Sequence, residues 1–172
     1  MQHLPSVRFS AALLVAMSLT ACSGKIEWTE EVRLQSGDTL VVHRSAKSKP
    51  FGQIGGTGGW ENEGMTMLIV QPATPANPPT WGARFVPLLF DRDAATGQWF
   101  IVATFYSCTS WYDLGRPSLP YTEFRLEGGR WVQRPLTQGL IGRKGNMLTS
   151  INSKGEPNHT LASKEAVMSQ YC

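Results

Sequence analysis

The stretch from Phe85 to Tyr106, FVPLLFDRDAATGQWFIVATFY, decides how the chain is read. Two apolar runs, Phe85–Asp91 and Gln98–Tyr106, are joined through Asp93-Ala94-Ala95-Thr96-Gly97. Aspartate favours turns by bonding nearby backbone N–H groups, and glycine tolerates a left-handed position, so the joint reads as a hairpin loop. In the return run Trp99, Ile101, Ala103 and Phe105 alternate with Phe100, Val102, Thr104 and Tyr106. Both alternating sets are largely apolar. A strand with two apolar faces is covered on both sides, which predicts a central strand in a layered β domain.

Hairpins continue in both directions from it. Upstream, Ile26, Trp28, Val32 and Leu34 fall on one face of an extended segment, with Glu27, Thr29, Glu31 and Arg33 on the other. A three-residue loop, Ser36-Gly37-Asp38, sets Leu34 opposite Leu40 and Val32 opposite Val42, whereas a two-residue loop mismatches the faces. Downstream, Thr122, Phe124 and Leu126 alternate with Tyr121, Glu123 and Arg125 before Gly128-Gly129. A two-residue turn there places Glu127 opposite Arg130 and Leu126 opposite Trp131, both favourable cross-strand pairs. Met65–Val70 reads as a further strand, and Pro72, Pro75, Pro78 and Pro79 deny ladder donors to the segment after it. The glycine-rich run Phe51–Trp60 has neither strand nor helix period and reads as a long loop. Beyond Pro135 the pattern fades until Leu161–Gln170, a short terminal helix with a weak apolar stripe.

Composition agrees. The 172 residues include 17 glycines, 11 prolines and six tryptophans with only 17% charged residues, the profile of a turn-rich β domain. The expected fold is all-β: one antiparallel β-sandwich or partly open barrel built from hairpins, spanning residues 26–172, with a possible short C-terminal helix.

The N-terminus carries an address. His3 and Arg8 precede an uncharged, mostly apolar stretch, Phe9–Leu19, followed by Leu19-Thr20-Ala21-Cys22. The layout is that of a secretory signal peptide, residues 1–21, with an apolar part too short to span a bilayer. The tetrapeptide resembles the lipobox of bacterial lipoproteins. That resemblance implies acylation of Cys22, with residues 22–25 as acylated N-terminus and short tether. Ser23, in place of aspartate, implies an outer-membrane anchor with the domain facing the periplasm. With Cys22 acylated, Cys108 and Cys172 remain. In an oxidising compartment they are expected to bridge, the alternative being a buried free Cys108 and a loose terminal Cys172.

Reactive chemistry is sparse. Basic residues are scattered apart from Arg143-Lys144 and the trio Arg44, Lys47 and Lys49, so no nucleic-acid stripe exists. His43 and His159 lack metal-ligand spacing and read as structural or surface residues. Asp91-Arg92-Asp93 faintly resembles a calcium loop, but Ala95 and Val102 occupy ligand positions and a hairpin turn explains the same residues. No P-loop ending follows the glycine-rich run. No histidine near Cys108 supplies a base to its thiol. The reading contains no metal, no cofactor and no catalytic residue.

Recognition chemistry is better represented. Trp60, Glu61 and Glu63 border the Gly52–Gly64 loop, and Trp111, Tyr112 and Asp113 lie in the Ser107–Arg116 loop. Aromatic faces beside carboxylates suit sugars or peptides, so the leading expectation is a non-catalytic envelope module with a protein or peptidoglycan partner. A rival expectation is a glycan hydrolase using Glu61, Glu63 or Asp113, which requires two carboxyls about 5–9.5 Å apart. A third is that these tryptophans merely plug the sandwich ends. The segments Gly58–Thr66, Cys108–Pro117 and Leu161–Ala166 are similar to segments of uncharacterised proteobacterial proteins. That likeness implies no catalytic residue to carry over.

Overall fold

The structure, a computed structural model, describes residues 24–52, 59–106, 108–113, 115–149 and 157–169. The expected signal peptide, Cys22 and Cys172 lie outside them. In chain order the elements are β1 (Gly24–Arg33), β2 (Thr39–Phe51), β3 (Gly59–Gln71), β4 (Trp81–Ala83), β5 (Phe85–Arg92), β6 (Trp99–Phe105), α1 (Cys108–Asp113), β7 (Tyr121–Glu127) and β8 (Arg130–Pro135). A short 3-10 turn (Gln138–Leu140), β9 (Asn158–His159) and α2 (Leu161–Ser169) complete the described chain. One sheet has the order β4-β3-β2-β1-β9 and the other β5-β6-β7-β8. They form an all-β sandwich, not a closed barrel. Every pairing is antiparallel except the two-residue parallel contact of β9 with β1.

Strand β6 has the predicted central place, between β5 and β7. Trp99, Ile101 and Ala103 join Val32, Val42, Phe90 and Trp81 in the core between the sheets. The opposite face, Phe100 and Val102 with Leu89, is covered by Leu136 and Leu140 from the segment after β8. The second cover is therefore irregular chain, which explains why its pattern faded in sequence.

Turn chemistry accounts for the hairpins. Gly128 and Gly129 have φ of 53° and 76°, and the register sets Glu127 opposite Arg130 and Leu126 opposite Trp131, as expected. In the β5–β6 loop the Asp93 carboxylate accepts the N–H groups of Ala95 and Thr96, while Gly97 takes φ 69°. The first hairpin differs from expectation by one residue on each strand. Val32 faces Leu40, and the three-residue loop is Gln35-Ser36-Gly37, closed by the Leu34 N–H to the Asp38 carbonyl at 2.8 Å. The shift places Gly37, φ 95°, at the end of the loop, where a three-residue hairpin needs a left-handed residue. Its apolar faces are unchanged.

Two expected loops are corrected. Strand β3 begins at Gly59, so Trp60–Gly64 belongs to a long β2–β3 hairpin instead of a glycine-rich loop. Residues 53–58 lie outside the described residues. The Ser107–Arg116 stretch contains helix α1, and Cys108 at its start is an exposed free thiol.

The segment 143–148 ties the sandwich together. Asn146 donates through Nδ2 to the carbonyls of Arg33 (2.9 Å) and Phe90 (2.8 Å), and its Oδ1 accepts the Phe90 N–H at 2.9 Å. One side chain thereby bridges the two sheets. A bulge in β5 after Pro87 turns the Leu88 carbonyl toward this segment, where it accepts the N–H groups of Asn146 and Met147 at 3.0 and 3.1 Å. Gly145 is required at that crossing, since a Cβ there would lie 2.8 Å from the Leu88 carbonyl oxygen. Gly145→Ala is expected to lower stability by about 1–3 kcal/mol through overpacking, read as a shifted urea midpoint with unchanged slope. An unchanged midpoint would show that the segment yields without cost.

Candidate functional site

The inner face of β1 carries Ile26, Trp28, Glu30 and Val32, continued by Leu34 just past its end, so the two-residue period buries a glutamate in the middle of an apolar set. On β2 the same face carries Leu40, Val42, Arg44 and Ala46. Trp28 stands directly opposite Arg44, and Glu30 lies diagonal to it. Glu30 and Arg44 are each 1% exposed, and Lys164 of α2, 5% exposed, joins them. Three charges thus meet between a sheet and a helix.

The cluster is closely satisfied. Arg44 Nη1 donates to Glu30 Oε1 and, at 2.7 Å, to the Leu148 carbonyl. Glu30 Oε2 accepts the Leu148 N–H at 2.9 Å and pairs with Lys164 Nζ at 2.8 Å. Lys164 Nζ also donates to the carbonyls of Glu31 (2.8 Å) and Asn146 (2.5 Å). The guanidinium carbon lies 4.7 Å from the centre of the Trp28 ring, within cation–π range. Burial alone would push the Glu30 carboxyl up. Arg44 and Lys164 outweigh it by charge and hydrogen bonds, holding the carboxyl below its ordinary value. Burial draws the Lys164 ammonium down, and the Glu30 carboxylate only partly restores it.

Beside this cluster, at one end of the sandwich where β1 starts, β2 ends and β3 starts, lies a pocket of about 400 Å³. Its size is within the range of small-molecule sites. Ile26, Ala46, Met65 and Leu148 supply apolar wall, and Tyr106, following β6, contributes from the other sheet. Trp28, Arg44 and Asn62 line it as well. Each of these three is buried and carries an N–H without a hydrogen-bond partner: Trp28 Nε1, Arg44 Nε and Asn62 Nδ2. The Asn62 orphan has a local cause. A bulge between Lys47 and Ser48 sets Asn62 opposite Ser48, and Asn62 Oδ1 accepts the Gly64 N–H at 2.9 Å, leaving the amide nitrogen over.

The side chains expected to form a site are dispersed over other features. Glu61 pairs with Lys49 at 3.5 Å and Arg84 at 3.3 Å, and Glu63 pairs with Lys47 at 3.2 Å. For Trp60 and Asp113 the backbone alone is described, in β3 and at the end of α1. Trp111 donates its Nε1–H to the Pro117 carbonyl at 3.2 Å and packs on Tyr112 at 5.3 Å between ring centres. Tyr112 is 53% exposed, with the Arg116 guanidinium 4.6 Å from its ring centre. Glu61, Glu63, Trp111 and Tyr112 do not line the pocket described above. His43 lies on β2 with its Nε2 3.9 Å from Glu27, and His159 lies on β9. No cluster of three or more metal-ligating side chains occurs among the described residues.

No described helix is long and apolar enough to cross a membrane. Comparison with protein-family models, curated proteins and solved structures yields no match.

Proposed function

We propose that the chain is a lipid-anchored envelope protein whose β-sandwich acts as a non-catalytic binding module, with the pocket beside the start of β1 as the binding site. The observation that carries this reading is the set of three buried, unpartnered N–H groups on side chains lining one pocket. Folding normally pairs such groups, because an unsatisfied buried donor costs about 1–3 kcal/mol. A polar group left unpaired in a concave, mostly apolar site has the character of a recognition group. Catalysis by the loop carboxylates is less favoured, since Glu61 and Glu63 are engaged in ion pairs along β2 and β3 and neither lines the pocket.

The anchor supports the same reading through position. Gly24 lines the pocket and begins β1. Cys22 is two residues earlier, a reach of at most about 7 Å of extended chain. Acylation there would hold the pocket beside the outer-membrane surface, facing the periplasm.

Cys22→Ser is expected to abolish incorporation of labelled palmitate and release the protein from the membrane fraction. Retention without label would remove the anchor from the account. The site itself is tested by photocrosslinking in intact envelopes, with the reactive residue at Lys47 beside the pocket or at Tyr112 on α1. Adducts are expected at Lys47. Adducts at Tyr112 alone would return the site to the aromatic pair.

A further inference from the structure

The donors in the pocket have a specific deficit. Among the described residues three cations line it, Lys25, Arg44 and Lys47, and no carboxylate does. Lys25 and Lys47 are each paired outside it, with Glu27 at 2.6 Å and Glu63 at 3.2 Å. Arg44 is different, because the cluster uses only part of its guanidinium. Nη1 is taken by Glu30 and the Leu148 carbonyl, Nε has no partner, and Nη2 meets the Met65 sulfur at 3.9 Å. The Nε–Nη2 edge, met only by that thioether sulfur, is a planar two-donor fork, the geometry that takes both oxygens of a carboxylate. Methionine is an adaptable side chain, and Met65 is both the atom group against this edge and part of the pocket wall.

We propose that the pocket binds a single-chain amphiphile with a carboxylate head. The Nε–Nη2 edge of Arg44, exposed as Met65 moves aside, takes the carboxylate, and the Trp28 and Asn62 N–H groups complete its shell. The chain lies along Ile26, Ala46 and Leu148. Glu30 does not repel this head, because it sits on the Nη1 side of Arg44 and is itself met by Lys164. One planar fork matches the two coplanar oxygens of a carboxylate and leaves the third oxygen of a phosphate without a charged partner. The inference rests on the binding-module reading and names its ligand. Location agrees, since a pocket within two residues of an acylated cysteine meets amphiphiles leaving or entering a bilayer.

The test uses the full chain carrying Cys22→Ser, so that no attached acyl chain competes, and isothermal titration with decanoate, decanol and decyl phosphate. Decanoate is expected to bind at least about tenfold tighter than decanol, the difference that charge-assisted bonds to the head supply. It is also expected to bind tighter than decyl phosphate. Asn62→Asp keeps the oxygen that accepts the Gly64 N–H while replacing the spare donor by an anionic acceptor. This variant is expected to lose about tenfold or more for decanoate and nothing for decanol, with its thermal midpoint measured on the same sample. Equal affinity for decanoate and decanol, equal or tighter binding of decyl phosphate, or an Asn62→Asp protein that folds and binds decanoate normally would each overturn the proposal. If none of the three binds while crosslinks at Lys47 persist, the ligand is wrong and the binding-module reading survives. If the crosslinks are absent too, both fall.

Discussion

Replacing Glu30 by alanine is expected to cost about 3–5 kcal/mol of folding stability, because it leaves Arg44 and Lys164 buried without their shared counter-charge. The loss is that of an uncompensated charge and not the net worth of the cluster. Taking three ionic groups out of water is costly, and their mutual attraction offsets that cost only through close geometry. The triple replacement of Glu30, Arg44 and Lys164 by methionine is therefore expected to recover most of the loss in urea denaturation. A triple variant as unstable as Glu30→Ala would show that the ion cluster itself stabilises the sandwich. Acid has a related effect. The Glu30 carboxyl in the folded protein titrates below its ordinary value of 4.5, with burial raising it and the two cations more than compensating. Its stabilising contribution is therefore complete above the unfolded value and lost as pH falls through the lower folded one. Glu30→Gln should flatten that part of the stability–pH curve, and an unchanged acid limb would assign it to other carboxylates.

Trp81→Ala is expected to cost a further class of stability, about 3–5 kcal/mol, through the cavity it leaves. Trp81 is 1% exposed, sits on the three-residue strand β4, and meets the Phe124 ring edge-on at 5.4 Å. It therefore joins an edge strand of one sheet to β7 of the other. Its indole N–H has no partner, so Trp81→Phe removes an unsatisfied donor together with part of the volume. The phenylalanine variant should lose much less than the alanine variant in the same denaturation experiment. Equal losses would mean that the lost ring volume at this site cannot be relieved by the absent N–H.

How much of this was legible beforehand depends on which physics was written locally. The alternation in Trp99–Tyr106 and the paired glycines at 128 and 129 are local, and they led directly to β6 as a doubly covered strand and to the β7–β8 turn. The β2–β3 hairpin was hidden because Gly58–Gly64 lacks the apolar alternation that marks a strand. Its pairing comes from the partner strand and from a bulge held by Asn62. The segment 143–148 was illegible for another reason. It has no period of its own, and its role comes from contacts with Leu88, Arg33 and Phe90 far away in sequence. Helix α2 showed only a weak apolar stripe, and the structure gives the cause. Among its described side chains the buried one is Lys164, which docks on Glu30 through charge.

The sequence does carry a signal for the buried cluster. Glu30 has the parity of Ile26, Trp28, Val32 and Leu34, and Arg44 that of Leu40, Val42 and Ala46. Opposite charges on the apolar face of neighbouring strands are costly unless paired, so their joint presence marks a buried ion pair. The loop aromatics and carboxylates point instead to Glu61 and Glu63, which the structure places in pairs with Lys49, Arg84 and Lys47.

The proposed ligand would occupy the pocket where β1 starts, β2 ends and β3 starts. Native mass spectrometry of the full chain purified from cells that express it tests this directly, beside Ser48→Trp, which places an indole in the pocket wall between Gly24 and Asn62. The wild-type protein should carry a small bound mass that the Ser48→Trp protein, equally folded, lacks. A wild-type protein without bound mass, or a bound mass that survives the substitution, would contradict it.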